Sequence, residues 1–348
     1  MKFSILILCL LLIVGCKKET TKPTAEIPTW LKSGLLVLNE GMFQFNNAKL
    51  SWMNNADQSV NNDFFEQKNN RSLGDTGNDL KRYGGKIYVA VSTSSTIEIL
   101  NATNGNSIKQ ISMMNGSTPK QPRSIAFYGS SAFVTCYDGF VDVFDTTNLT
   151  ITMRIPVGQN PEDLVVSNNK LYVSNSGGLN FPNVDSTVSV INLNTLQEIK
   201  RITVGPNPGA IVCDAEGDIY VISRGNYAAI PAQLHRIETF SDTKTHDFTF
   251  AIQSMAIFQD KLLISEPNSI VIKTFNTLTE SNNLINFITN APITTLYGMY
   301  FSSITNKVYC FDAVNYSSTG YVVQFSVSGN YEKKYHVGLN PSKLIVYE

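Results

Sequence analysis

A short phrase, an apolar residue followed by Tyr-Val or a close variant, returns along this chain about once every 45 residues. It stands as Ile87-Tyr88-Val89, Ala132-Phe133-Val134, Leu171-Tyr172-Val173, Ile219-Tyr220-Val221, Leu262-Leu263-Ile264 and Val308-Tyr309-Cys310. The middle residues lie 45, 39, 48, 43 and 46 positions apart, and an earlier copy, Leu35-Leu36-Val37-Leu38, sits 52 residues before the first of them. Strand-like content at a period of about 40 to 50 residues is the mark of a β-propeller blade. Counting the copies predicts an all-β chain, a single seven-bladed β-propeller over residues 35–348. A propeller is a platform that names no chemistry by itself. Function must then be read from the loops and from where the chain is sent.

Each repeat divides into four strands. In one unit they fall at Ala132–Cys136, Phe140–Asp145, Thr150–Val157 and Asp163–Ser167, separated by the turn signals Asp138-Gly139, Thr146-Thr147-Asn148 and Gly158-Gln159-Asn160-Pro161. Gly supplies positive φ in such turns, and proline disfavours helical backbone in the residue before it, so an extended Asn is expected there. The connector returns as Gly205-Pro206-Asn207-Pro208 and Gly338-Leu339-Asn340-Pro341. With the strands lettered a to d from the innermost outward, the Tyr-Val strand is b and the strand after Gly-x-Asn-Pro is a. The chain then starts on a b strand at Leu35 and ends on an a strand at Ser342–Glu348, which completes the first blade and removes its free edge.

Residues 1–16 read as a leader. Lys2 precedes an uncharged apolar run, Phe3 to Val14, which has the length of a secretory h-region and is too short to span a bilayer. It ends at Ile13-Val14-Gly15-Cys16, which resembles the lipobox of bacterial lipoproteins. The resemblance implies that Cys16 becomes a lipidated N-terminus, with several acyl chains giving firm residence on membrane lipid. Residues 17–33, rich in Lys, Thr and Pro, read as a flexible tether. The expected location is the cell envelope, as an outer-membrane lipoprotein facing the periplasm or the exterior.

Charge is low and balanced, 27 Lys and Arg against 28 Asp and Glu, with no basic stripe, so nucleic acid is not an expected partner. Once Cys9 leaves with the leader and Cys16 is lipidated, Cys136, Cys213 and Cys310 remain, an odd number in different repeats. They read as buried free thiols. His235, His246 and His336 are scattered, and no metal or cofactor is expected.

The Gly-x-Asn-Pro connectors, the Tyr-Val strands and the Val188-Ser189-Val190-Ile191-Asn192 strand resemble YncE-like seven-bladed propellers. Val37-Leu38-Asn39-Glu40-Gly41-Met42-Phe43, Asn69-Asn70-Arg71-Ser72-Leu73-Gly74-Asp75 and Ile87-Tyr88-Val89 are similar to the lipoprotein members often found beside TonB-dependent outer-membrane transporters. Some of that group bind cobalamin at the cell surface. The resemblance implies a lipid-anchored protein that captures a cobalamin-like or other large polar nutrient for such a transporter. The alternative is a protein-interaction scaffold of an envelope complex, and a lactonase-type hydrolase is a distant third.

Alternating strands place the b–c and d–a loops on one face of the disc. Long loops concentrate there, at 39–49, 174–187, 223–233 and 312–320, while the a–b turns opposite are tight. The expected ligand contacts are Asn39, Glu40, Phe43, Asn175, Phe181, Arg224, Tyr227 and Tyr316 from the b–c loops, with Arg71, Asp75, Arg123 and Glu162 from the d–a connectors. Aromatic planes beside amides and charges suit a large polar ligand or a protein partner. No catalytic residue is expected: the chain lacks Gly-x-Ser-x-Gly, His-Glu-x-x-His and Cys-x-x-Cys.

Overall fold

The computed structural model describes residues 29–348. Cys16, the leader and most of the expected tether lie outside the described residues. Leu31, at the end of that tether, is buried and donates its N–H to the Thr103 carbonyl at 2.7 Å, so the last part of the span is packed onto the propeller.

Seven four-stranded antiparallel sheets form the blades. Blade 1 holds Gly34–Asn39 (b), Lys49–Asn54 (c) and Val60–Asn61 (d). Blade 2 runs from Gly77–Tyr83 (a) to Ser107–Ser112 (d), and blade 3 from Pro122–Tyr128 to Ile151–Pro156. Blade 4 runs from Pro161–Ser167 to Gln197–Thr203, and blade 5 from Pro208–Cys213 to Thr243–Asp247. Blade 6 runs from Ser254–Phe258 to Ile285–Ile288, and blade 7 from Leu296–Ser302 to Tyr331–Leu339. The last strand, Pro341–Tyr347, pairs with Gly34–Asn39 as strand a of blade 1, with Leu35 opposite Val346 and Val37 opposite Leu344. The ring closes as the sequence pattern requires.

The recurring phrase has a packing cause. A b strand has a neighbouring sheet on both faces, so both of its side-chain rows must be apolar. Ile87, Val89 and Val91 enter the cluster between blades 1 and 2, whereas Tyr88 and Ala90 enter the cluster between blades 2 and 3. The middle residue of each phrase always faces the following blade: Phe133, Tyr172, Tyr220, Leu263 and Tyr309 lie in the next five clusters in turn. The core is therefore divided among the interfaces between blades.

One helix, Phe64–Asn69, follows the short d strand of blade 1 and buries Phe64 and Phe65 against the interface of blades 1 and 2. The backbone of the connectors differs from the expectation. Asn160, Asn207 and Asn340 precede proline, yet their φ values are +43, +57 and +53. Asparagine tolerates this region best among residues with a Cβ. Its side chain adds a fixing bond, from Asn160 Nδ2 to the Tyr137 carbonyl at 2.8 Å and from Asn340 Nδ2 to the Gly41 carbonyl at 3.0 Å.

Candidate binding site

Two positions of the repeat feed the axis. The first is a bulge near the start of strand a. In six blades the a–b register shifts there, so an extra residue is inserted opposite strand b. A bulge re-aims its side chain out of the pleat. The residues placed this way are Asn78, Arg123, Glu162, Gly209, Tyr297 and Ser342. The second position is the first residue after strand b. Its N–H is held by the carbonyl of the left-handed connector residue: Glu40 by Asn340 at 2.9 Å, Tyr137 by Gln121 at 3.3 Å and Arg224 by Asn207 at 2.9 Å.

Side chains from these two positions meet across blades. Arg123 donates to Asn78 Oδ1 at 2.5 Å and to Glu162 Oε1 at 2.8 Å, and its guanidinium lies 4.6 Å from the centre of the Tyr137 ring. Tyr137 donates its hydroxyl to Glu162 Oε2. Arg224 donates to Glu162 Oε1 at 3.2 Å. Opposite, Tyr297 donates to Glu40 Oε2 at 2.5 Å. Burial raises the Glu40 carboxyl, only partly offset by the Tyr297 hydrogen bond and by the charges of Arg123 and Lys343. Burial would raise Glu162 as well, but Arg123 and Arg224 outweigh it and hold that carboxyl well below the usual range. Glu40, on blade 1, feels Arg123 and Glu162 on blades 3 and 4, as groups gathered round one axis must.

Aromatic side chains stand around this cluster. Phe43 and Phe45 are 63% and 64% exposed, and Tyr227 is 71% exposed. Phe181 lies 6.2 Å from Tyr227, whose hydroxyl accepts from Asn207 Nδ2 at 3.0 Å, and Tyr316 stands edge-on to Tyr297 at 5.8 Å. Tyr227 and Tyr316 sit at φ +54 and +63. Bulky residues rarely occupy that region, and where they do the surroundings must impose it.

The remaining expected contacts are committed to internal bonds. Asn39 and Asn175, the last residues of their b strands, are fully buried and donate to Ser51 Oγ at 2.8 Å and Ser189 Oγ at 2.9 Å. Arg71 donates to both oxygens of the fully buried Glu98 at 2.7 Å and lies 5.0 Å from the Phe65 ring centre. The Asp75 carboxylate accepts from the Gln44 and Asn46 N–H groups at 3.1 Å and so shapes the loop that carries Phe43 and Phe45. Asn78, Tyr137 and Tyr297 were not anticipated. Arg123 and Glu162 carry the signal that finds them, since Asn78 and Tyr297 fill the equivalent place and Tyr137 follows a b strand as Glu40 and Arg224 do.

Blade 5 contains a Ser-His-Asp chain. Ser223 Oγ lies 2.7 Å from His235 Nε2, and His235 Nδ1 lies 2.6 Å from Asp247 Oδ1. Burial lowers the His235 pKa, against the opposing pull of Asp247, so the neutral ring accepts from Ser223 and donates to Asp247. A Cβ on Gly205 would meet Ser223 Oγ at 2.6 Å and His235 Nε2 at 2.8 Å. The hydroxyl is covered by backbone, with no room for a substrate carbonyl. The chain staples strands b, c and d, extending the b–c bond that Asn175 and Ser189 make in blade 4. Cys136 and Cys310 are buried free thiols, and Cys213 is half-buried.

Fold and site together define a seven-bladed propeller with a polar axial cluster inside an aromatic rim. Residues 33–337 match the DUF5074 family, described as a domain of unknown function, and the chain belongs to that family. No curated protein matches the sequence. Among solved structures it is similar to a quinoprotein alcohol dehydrogenase-like protein from Bacteroides thetaiotaomicron, with TM-score 0.68 and 14% identity over 90% of this chain and 78% of that one. It is also similar to the hydrazine synthase of Kuenenia stuttgartiensis, with TM-score 0.60 and 13% identity over 74% of this chain and 86% of that one. At such identity each likeness shows the fold alone.

Proposed function

We propose that this chain is a lipid-anchored binding protein of the cell envelope that captures a large polar nutrient on its b–c/d–a face and presents it to an outer-membrane transporter. One observation carries the binding role: the shared axial charges lie on the same face as the long b–c loops that expose Phe43, Phe45, Phe181, Tyr227 and Tyr316. The a–b turns of the opposite face, such as Gly84-Gly85, Gly129-Ser130 and Asn168-Asn169, are only two residues long. The lipobox at Cys16 and the resemblance to YncE-like lipoprotein propellers support the envelope location and put a cobalamin-like compound first among ligands. The test is thermal-shift screening of the detergent-solubilised protein against corrinoids, haem and glycans, because a ligand that binds the folded state raises the melting point. A corrinoid shift abolished by Phe181→Ala, Arg224→Ala and Tyr227→Ala together is expected, and a shift that survives the triple change sinks the assignment. Cys16→Ala is expected to release the protein from the membrane fraction.

A second reading has its own observation. Phe43 and Phe45 stand on one loop and expose most of their surface, as anchors for a protein partner do. A scaffold would bind its transporter through that loop with no small ligand, and Phe43→Ala with Phe45→Ala would then abolish co-purification while leaving every thermal shift unchanged.

A further inference from the structure

The axial cluster is unevenly satisfied, and the excess lies on Arg224. Glu162 is shared by two guanidinium groups. Arg123 is the closer partner, at 2.8 Å, and is further held by Asn78 and by the Tyr137 ring. Arg224 has only the 3.2 Å bond from Nη2 among the described residues, and its side chain is 38% exposed. The neighbouring carboxylates are occupied elsewhere. Asp79 accepts from the Ile125 N–H at 2.9 Å, Asp163 from the Leu164 N–H at 2.9 Å and from Ser124 Oγ at 2.6 Å, and Glu40 from Tyr297. Lys343 adds a further positive charge near Glu40. Two buried polar atoms of the cluster, Arg123 Nε and Ser342 Oγ, have no hydrogen-bond partner among the described residues.

Arg224 also has a reserved place. Gly209 stands where the other blades put Asn78, Arg123, Glu162 or Tyr297. A Cβ on it would meet Arg224 Cζ at 2.7 Å and Nε at 2.8 Å. The missing side chain is what lets the guanidinium lie flat against the start of strand a. Tyr227, three residues along the same loop, stands within electrostatic reach of Arg224 and presents its ring to Phe181. A planar cation with free N–H donors thus sits beside a solvent-facing aromatic pair. A guanidinium of this kind pairs best with an oxyanion, which it can engage with two parallel bonds.

We propose that the axial site takes an oxyanion, a carboxylate or phosphate group carried on an aromatic or apolar body, with Arg224 as the residue that receives it. This rests on the binding face described above and adds the charge class of what binds there. The probes are benzoate and benzamide, which share shape and differ in charge, titrated into the detergent-solubilised protein by ligand-observed NMR. Benzoate is expected to bind about tenfold tighter than benzamide, the difference between a charge-assisted hydrogen bond and a neutral one. Raising salt from about 20 to about 200 mM is expected to weaken benzoate alone. Arg224→Gln is expected to erase the discrimination and Arg224→Lys to retain part of it. Phenyl phosphate in the same series separates phosphate from carboxylate. Equal binding of benzoate and benzamide that Phe181→Ala and Tyr227→Ala abolish overturns the charge assignment and leaves the face as a binding face. Benzoate binding that survives Arg224→Gln and Tyr227→Ala alike overturns both, and absence of saturation by either probe overturns the proposal.

Discussion

Gly158 and Gly338 are glycines because their neighbours leave no room for a Cβ. An added Cβ would meet Asn175 Cγ at 2.4 Å and Asn39 Cγ at 2.6 Å, and both asparagines are buried and bonded. Gly158→Ala should therefore lower stability by about 1–3 kcal/mol, the usual cost of overpacking a closed site. Gly85→Ala is the control: nothing lies within 4 Å and no unusual φ is required, so calorimetry should find its melting point within a degree or so of the parent. Glu162 makes the electrostatic counterpart. Glu162→Gln would leave Arg123 and Arg224 without their shared counter-charge, and breaking a buried pair costs about 3–5 kcal/mol before the partial exposure of Arg224 is allowed for. Chemical denaturation should show roughly half that loss, because Arg224 can turn to solvent. A loss no larger than that of a surface carboxylate would mean the cluster is not a coupled unit. The sequence alone marked Arg123 and Glu162 through their place after the connector. It did not mark Arg71 as internal, because nothing local reveals that a distant Glu98 waits for it.

At the scale of a strand group, the Ser223, His235 and Asp247 staple gives blade 5 a dependence on acid. The folded His235 has a lowered pKa, so the unfolded chain binds the proton more readily. Stability is then complete above the unfolded value, about 6.5, and is lost as pH falls through it. The slope is at most about 1.4 kcal/mol per pH unit for one proton. Denaturant titrations between pH 7.5 and 5 should show this slope in the parent and not in His235→Gln; equal slopes would contradict the staple. Elements of this kind were only half legible. Strand positions followed from the Tyr-Val period and the turn residues, because burial on both faces demands an apolar run. The bulges at strand a and the left-handed asparagines were not, since they depend on which side chains return to bond the connector. The helix Phe64–Asn69 was hidden for a similar reason: its two phenylalanines serve the blade interface, and their spacing shows no helical period.

For the whole molecule, closure is the feature that ties the ends of the chain into one cooperative unit. Strand Pro341–Tyr347 gives Leu344 and Val346 to the interface of blades 7 and 1, and Ile345 and Tyr347 to that of blades 1 and 2. Tyr347 also donates to the Ala102 carbonyl at 2.9 Å and meets Trp52 edge-on at 5.4 Å. Removing residues 341–348 would open two of these clusters and expose the edge of Gly34–Asn39, so the shortened chain should lose its cooperative melt. A permutant separates the pairing from its connectivity. If residues 341–348 are moved ahead of Gly34 and joined by a two-residue turn like those of the other blades, blade 1 is complete in chain order. Every interface survives, but blades 7 and 1 then share no strand and are held by side-chain packing and the hydrogen bonds of Glu40 and Gly41 to Leu339, Asn340 and Tyr297. The permutant should keep the native circular dichroism and near-native ligand binding, yet unfold faster, because the ring can now part without breaking a sheet. Unfolding in denaturant, followed by fluorescence of Trp52, measures this directly. If the permutant unfolds at the parent's rate, the closing strand contributes nothing beyond filling its blade, and the stability of the disc lies wholly in its interfaces.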